Sequence, residues 1–485
     1  MVQIKYTKLF INNEFVDSVS GKTFPTINPA TGEKIAEVSE AQKEDVDNAV
    51  AAAKKAFERN STWRNMDASQ RGKLINKFAD LLERDIQYLA ELEVYNSGKP
   101  LDAVLLELQY YAGILRYYAG YTDKIHGNTI PVDGKGFTLT KKQPVGVVGQ
   151  IIPWNYPIGM AIWKLGPALC TGCTVVLKPA EQTPLTALVL AALSKEAGFP
   201  AGVINIIPGL GPVAGEALAM HNDVRKVAFT GSTDIGHKIL EYSAKSNLKK
   251  VSLELGGKSP LVIFDDADLE EAVAIAHDAI FENHGQNCCA GSRTFVQAGI
   301  YEEFVKKAVE KARQRKVGNP LESGVQQGPQ IDQPSLDKIL RIIAESKEQG
   351  AKIETGGSRI GDKGFFVEPT VLSGVTDEMS CAINEIFGPV QSILKFNTLD
   401  EVIERANSTT YGLAGGVITK NIDNALVFAN AVEAGSVWIN CYDYITPQTP
   451  FGGFKKSGFG KDLGADSLDD YLVTKVITIM LPVKN

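Results

Sequence analysis

The chain has 485 residues, 44% of them hydrophobic and 22% charged, with a net charge of −7. These figures fit a globular protein of two or three domains with sizeable cores. They argue against a nucleic-acid surface as its main business, and no window reaches the ~18 uninterrupted apolar residues of a membrane span.

Residues 1 to about 120 read as mostly helical. Leu74, Phe78, Leu81 and Leu82 fall on one apolar stripe at helical spacing. The start, MVQIKYTKLFINNEF, shows neither an apolar core nor an Arg-rich presequence. Six cysteines are too few for a disulfide framework in a chain this long. The expected compartment is reducing and cytoplasmic; a mature mitochondrial form has the same signature.

From about residue 136 the pattern changes. GFTLTKKQPVGVVGQIIP alternates and is rich in β-branched residues. Strands are then expected at 174–179, 203–209, 226–231 and 250–257, with helices between them at 183–198, 212–220 and 232–244. Short apolar strands alternating with helices predict a parallel, doubly wound α/β sheet. The alternation restarts near 258, with helices expected at 268–282 and 301–315, so a second α/β domain is expected. The tail, YLVTKVITIML, is too apolar to stand alone. It pairs either with the 136–144 segment or with another subunit.

Doubly wound sheets bind ligands beyond the carboxyl ends of their strands. The G-x-G-x-x-G fingerprint is missing, and GLGPVAG (209–215) is a turn or a mis-spaced phosphate cradle. FTGSTDIG (229–236) ends a strand at Gly231 and offers Ser232 or Thr233 as an N-cap. That spot suits a phosphate, or simply a capped helix. In KPAEQTP (178–184), Lys178 and Glu181 follow a strand end. An acid there can accept from ribose hydroxyls and repel a 2′-phosphate, favouring NAD over NADP; a solvated loop is the alternative. SLELGGKSP (252–260) puts Glu254 near a strand end, as a surface charge or, if buried, a general base. NHGQNCCAGSR (283–293) holds the adjacent pair Cys288 and Cys289. CTGC (170–173) reads as structural, and KKSGFGK (455–461) as a solvated loop. The five histidines lack metal-ligand spacing, so no metal is expected.

Together these stretches resemble the aldehyde dehydrogenase superfamily. Its G-Q-x-C reads Gly285-Gln286-Asn287-Cys288, and its E-L-G-G-K falls on Glu254 to Lys258. PWNYP (153–157), EIFGPV (385–390), FTGST, KPAEQTP and PFGGFKKSG (450–458) are similar to further family motifs, in the family's order. The flavour is that of the NAD-dependent tetrameric enzymes acting on aliphatic aldehydes and retinal.

The resemblance implies a Rossmann-type cofactor domain (1–121 and 145–256), an α/β catalytic domain (257–460) and a small β oligomerisation element (122–144 and 470–485). It implies oxidation of a small-molecule aldehyde to an acid with NAD, by a homo-oligomer, tetrameric in expectation. Cys288 would be the nucleophile, Glu254 the general base and Asn155 the oxyanion stabiliser. Lys178 and Glu181 would hold the adenosine ribose, Ser232 the pyrophosphate and Glu385 the nicotinamide ribose, with Phe387 near the nicotinamide. Ile152, Trp154, Gly231, Gly236 and Leu255 complete the implied cofactor contacts. Tyr156, Trp163, Asn287, Cys289, Ile445 and Phe451 would wall the substrate pocket. Asn287 stands where close relatives often carry cysteine or an apolar residue, and Ile445 where many carry an aromatic. Two relatives' roles compete: CoA-dependent acylation, whose members commonly lack the base Glu, and a retired structural crystallin with altered catalytic residues.

Overall fold

A computed structural model describes residues 2–481; the last residues of the expected 470–485 element, 482–485, lie outside the described part. Two parallel sheets dominate. In the first, the central strands run in the order Lys250–Glu254, Val224–Thr230, Val147–Ile151, Thr174–Lys178, Ile204–Ile206, all parallel. Val147–Ile151 and Thr174–Lys178 are buried at every position. Helices covering both faces require this, and it is why these strands read as short, mostly apolar runs. The helices Leu185–Ala197 and Thr233–Lys245 fall where the sequence places them or close by, and a helix the sequence reading did not place, Pro157–Thr171, precedes them. Pro157 opens that helix, where its missing N–H costs nothing.

The N-terminal stretch differs from the helical expectation. Leu9–Ile11 and Glu14–Val16 form a hairpin that extends the first sheet beyond Ile204–Ile206. Asn12 and Asn13, at φ 55° and 64°, make its two-residue turn, the left-handed geometry that asparagine tolerates. Strands of three residues are too short to show alternation; the Asn-Asn pair was the readable signal. The helical reading holds further on: Ala68–Arg84 buries Phe78, Leu81 and Leu82.

The second sheet has seven strands, with Arg293–Gln297 and Pro260–Ile263 near its middle and Ser436–Ile439 at one edge. Gly458–Phe459, arriving from that side of the chain, pairs instead with Lys250–Glu254 of the first sheet, placing Gly458 opposite Glu254. The tail strand Leu472–Met480 pairs antiparallel with Gly136–Pro144 along its whole length. Every residue of that strand after Leu472 is exposed. Among the described residues no helix is long and apolar enough to cross a membrane.

Candidate active site

The chain runs outward from Val147–Ile151 to Thr174–Lys178 and Ile204–Ile206. It then jumps back to place Val224–Thr230 on the other side. The crevice at this reversal is the usual ligand position of an open α/β sheet. Ile152 to Tyr156 leave the first of these strands there, and Gly231 and Ser232 leave the last.

The cysteine pair lies in a tight turn. Ala290 N–H donates to the Asn287 carbonyl at 3.2 Å, and the Asn287 side-chain oxygen accepts from the Cys289 amide at 3.2 Å, an Asx-type closure. The approach is strained: Asn283, His284 and Gly285 all have positive φ (44°, 61° and 73°). A Cβ on Gly285 would lie 1.9 Å from the Gly388 carbonyl oxygen, so only glycine fits in that part of the motif. His284 fastens the bend: its Nε2 accepts from Gly328 N–H at 3.0 Å and its Nδ1 lies 2.9 Å from the Pro329 carbonyl, which makes Nδ1 the protonated nitrogen.

This geometry separates the two thiols. Cys289 is buried, and its Sγ donates to Asn287 Oδ1 at 3.2 Å or Asp443 Oδ1 at 3.1 Å. The neighbouring Cys288 thiol, burial and the Asp443 carboxylate push the Cys289 thiol well above its ordinary range. Cys288 is half-buried and faces the cavity. Its carbonyl packs against Gly257, where a Cβ would come within 2.5 Å.

Asn155 Nδ2 donates to the Gln286 carbonyl at 2.9 Å. An amide nitrogen carries two hydrogens, so the second is left for a ligand. Asn283 Nδ2 bridges the two segments, reaching Asn155 O at 2.9 Å and Gln286 O at 3.1 Å. Glu254 ends its strand buried, and neither carboxylate oxygen has a partner. Burial raises its pKa well above the ordinary range. Asp462 and Cys288 add to this, while Lys164 and Lys461 oppose it. Lys164 and Asp462 form a buried ion pair at 2.9 Å.

Of the residues expected at the cofactor, Trp154, Gly231, Ser232, Leu255, Glu385 and Phe387 line one cavity together with Cys288 and Glu254. Glu385 accepts from Gly257 N–H at 3.0 Å, and burial raises its pKa. Phe387, at φ 60°, meets Trp154 edge to face at 5.3 Å. The others stand outside that cavity. Lys178 is buried at its strand end, 3.2 Å from Glu181, and also donates to the Gly209 carbonyl at 2.7 Å. Ile152 N–H donates to the Lys178 carbonyl at 3.1 Å. Gly236 lies under the Leu255 side chain. Ser232 occupies the N-cap of Thr233–Lys245 without a side-chain capping bond.

The cavity encloses about 480 Å³. All the expected pocket residues line it: Tyr156, Trp163, Asn287, Cys289, Ile445 and Phe451. Trp163 and Phe451 meet edge to face at 5.5 Å. The cavity also takes in Glu107, Tyr110, Tyr111, Glu282 and Asp443, which the sequence reading did not single out. The first three sit on the helix Leu101–Ala119, where an acid and two tyrosines at helical spacing look like any packing face. Glu282 was visible just ahead of the cysteine motif, but only the fold brings it to the cavity wall. CTGC and the late basic run have structural surroundings: Cys170 and Cys173 are buried, and Ser457 Oγ donates to the Gly256 carbonyl at 2.7 Å. No cluster of three His, Cys, Asp or Glu with metal-binding geometry occurs among the described residues.

Comparison with known proteins agrees with this geometry. Residues 15–477 match the aldehyde dehydrogenase family. The chain is 58% identical to aldehyde dehydrogenase 1A1 of Gallus gallus over 485 residues, covering 100% of this chain and 95% of that one. It is 57% identical to retinal dehydrogenase 2 of Rattus norvegicus, covering 100% and 94%. An NAD+ complex of aldehyde dehydrogenase from Bacillus cereus superposes with a TM-score of 0.97 at 49% identity, covering 99% of this chain and 97% of that one. With its doubly wound sheet, its cysteine turn and matches along nearly its whole length, the chain belongs to the aldehyde dehydrogenase family.

Proposed function

We propose that Cys288, Glu254 and Asn155 carry out the family's reaction, the oxidation of an aldehyde to a carboxylic acid, with NAD as the hydride acceptor. The observation that carries this is one cavity in which a half-buried thiol, a free amide donor and an unpartnered buried carboxylate converge.

The Cys288 thiol gives its proton to Glu254 as sulfur bonds to the carbonyl carbon. Both groups line the same cavity, which supports this exchange. The carbonyl oxygen becomes an oxyanion, held by the second Asn155 N–H and the backbone N–H of Cys288. With NAD bound, the aldehyde hydrogen would leave as hydride to the nicotinamide, and Cys288 would be left carrying the thioester. Glu254, having released its proton, takes another from a water molecule. That water attacks the thioester carbon, the C–S bond breaks and the acid departs.

The residues present fit the cofactor. Thr230 Oγ1 is buried without a partner beside Gly231 and Ser232, and the Ser232 side chain is not spent on capping. Lys178 and Glu181 would hold the adenosine ribose, Ser232 and the helix start behind it the pyrophosphate, and Glu385 the other ribose. Ile152, Trp154, Gly231, Gly236, Leu255 and Phe387 shape the remaining surface. The Glu181 carboxylate disfavours a 2′-phosphate, which supports NAD over NADP.

The unmodified protein is expected to form NADH from NAD and an aldehyde in the absence of CoA. NADH formation only when CoA is present would replace this reading with acyl transfer. No NADH under either condition would favour a structural role.

The first sheet with its helices (1–121 and 145–256) is the cofactor unit of this reading, and 257–460 the catalytic unit. The segments 122–144 and 470–485 are its oligomerisation element. Val473, Val476, Ile477, Ile479 and Met480 expose apolar surface on a sheet otherwise without cover. Such a patch supports association through that sheet. A tetramer is expected in sedimentation; a stable 52.4 kDa monomer would overturn it. All six cysteines are free, which supports a reducing, cytoplasmic setting.

A further inference from the structure

We propose that Glu282 and Asp443 select aldehydes that carry a positive charge at the end remote from the carbonyl. This rests on the reading of Cys288 as the nucleophile.

Both acids line the cavity that holds Cys288. Independently of them, the cavity is a ligand site: the Glu254 carboxylate, 6% exposed and with both oxygens unpartnered, faces it. Glu282 follows the helix Leu269–Phe281 and opens the strained bend leading to Cys288. Its side chain is exposed to water at the edge of the cavity. Asp443, at φ 56°, is held by Asn287 Nδ2 at 2.8 Å and by the Cys289 thiol at 3.1 Å.

The charge balance is what singles these two out. A third acid of the wall, Glu107, is already paired with the buried Lys99 and accepts the Tyr111 hydroxyl at 3.0 Å. The Lys99 ammonium lies 3.8 Å over the Tyr156 ring. Among the described residues Glu282 and Asp443 bond no lysine or arginine. The partners of Asp443 are the neutral Asn287 and Cys289. Lys338, the lysine of the cavity wall, faces Glu385 at the cofactor end, and Arg315, which feels the Glu282 charge, donates to backbone carbonyls and makes no ion pair with it. Two carboxyl groups therefore share one largely apolar cavity, Glu282 at its exposed edge, and each opposes ionisation of the other. Burial, then Asp443 and Glu107, raise Glu282 to about 7, with Lys99 opposing.

A neutral alkyl chain entering this space strips water from both carboxylates and returns nothing. A cationic group replaces that water, relieves the repulsion and meets Tyr110 and Trp163 of the same wall, aromatic rings of the kind that attract cations. The carbonyl is then presented to Cys288 with the charge pointing outward. Asn287 links the two ends: it closes the turn behind Cys288 and holds Asp443.

The test is a matched pair of aldehydes of equal chain length. One ends in a trimethylammonium group, the other in its neutral carbon isostere, tert-butyl. With the unmodified protein, kcat/KM for the cationic aldehyde is expected to exceed that for the neutral one by about tenfold or more. Glu282→Gln, which keeps size and polarity, should reduce that ratio by about tenfold, and Glu282→Lys should invert it. A ratio at or below one in the unmodified protein, or a ratio that Glu282→Gln leaves unmoved, would overturn the proposal. Binding of the two corresponding alcohols, followed by calorimetry, separates this from the reaction itself. Absence of NADH from both aldehydes overturns the dehydrogenase reading. Equal binding of the two alcohols overturns the charge selection alone.

Discussion

Cys288→Ala is expected to lower aldehyde oxidation by about four orders of magnitude or more, because the other thiol of the cavity, Cys289, is buried and held protonated and cannot form the thioester in its place. Cys289→Ala is expected to lower kcat/KM by no more than about tenfold, the scale of losing modest hydrogen bonds. The two thiols are adjacent in sequence but opposite in circumstance. Cys289 is buried, donates to Asn287 or Asp443 and is held protonated by its surroundings. Cys288 sits on the cavity side of the same turn. Initial rates of NADH formation at saturating NAD, with folding of each variant checked by its thermal transition, decide the matter. Loss of activity in Cys289→Ala with retention in Cys288→Ala would reverse the assignment.

Glu254→Gln is expected to leave the first half of the reaction detectable and to slow the second by about 10²–10⁴-fold, the usual contribution of a positioned general base. A burst of NADH approaching one per active site, followed by slow turnover, is the expected trace. The pH profile supplies a second readout. Only the ionised carboxylate can accept a proton, and the environment raises the Glu254 pKa well above its ordinary value. Turnover of the unmodified protein should therefore fall as pH drops through that raised pKa. The Gln variant should lack this limb. Full steady-state turnover in Glu254→Gln, or an unchanged acid limb, would remove Glu254 from the role.

The cofactor sheet was largely legible. Runs such as TVVLK and VVGQI are mostly apolar because both faces are covered, and that burial leaves a mark on composition that needs no partner to be seen. The N-terminal hairpin was not legible as strands, since three-residue segments carry too little periodicity. Gly285 and Gly257 illustrate an intermediate case. Their motif positions are plain in the sequence. The reason for them, backbone approaches that would put a Cβ 1.9 Å from the Gly388 oxygen and 2.5 Å from the Cys288 oxygen, is visible only in three dimensions.

The sequence by itself determined the alternation of strands and helices, the order of the motifs and hence the kinship with aldehyde dehydrogenases. These depend on residues near one another in the chain. The tertiary structure alone decided which thiol stays half-exposed in the cavity, that Glu254 is buried without a partner, and that Glu282 and Asp443 share the pocket without bonding a lysine or arginine. A side chain's solvation and charge balance are set by neighbours in space. Here those neighbours come from the helix Leu101–Ala119, the bend after Phe281 and the loop beyond Ile439, segments that meet only once the two sheets have folded.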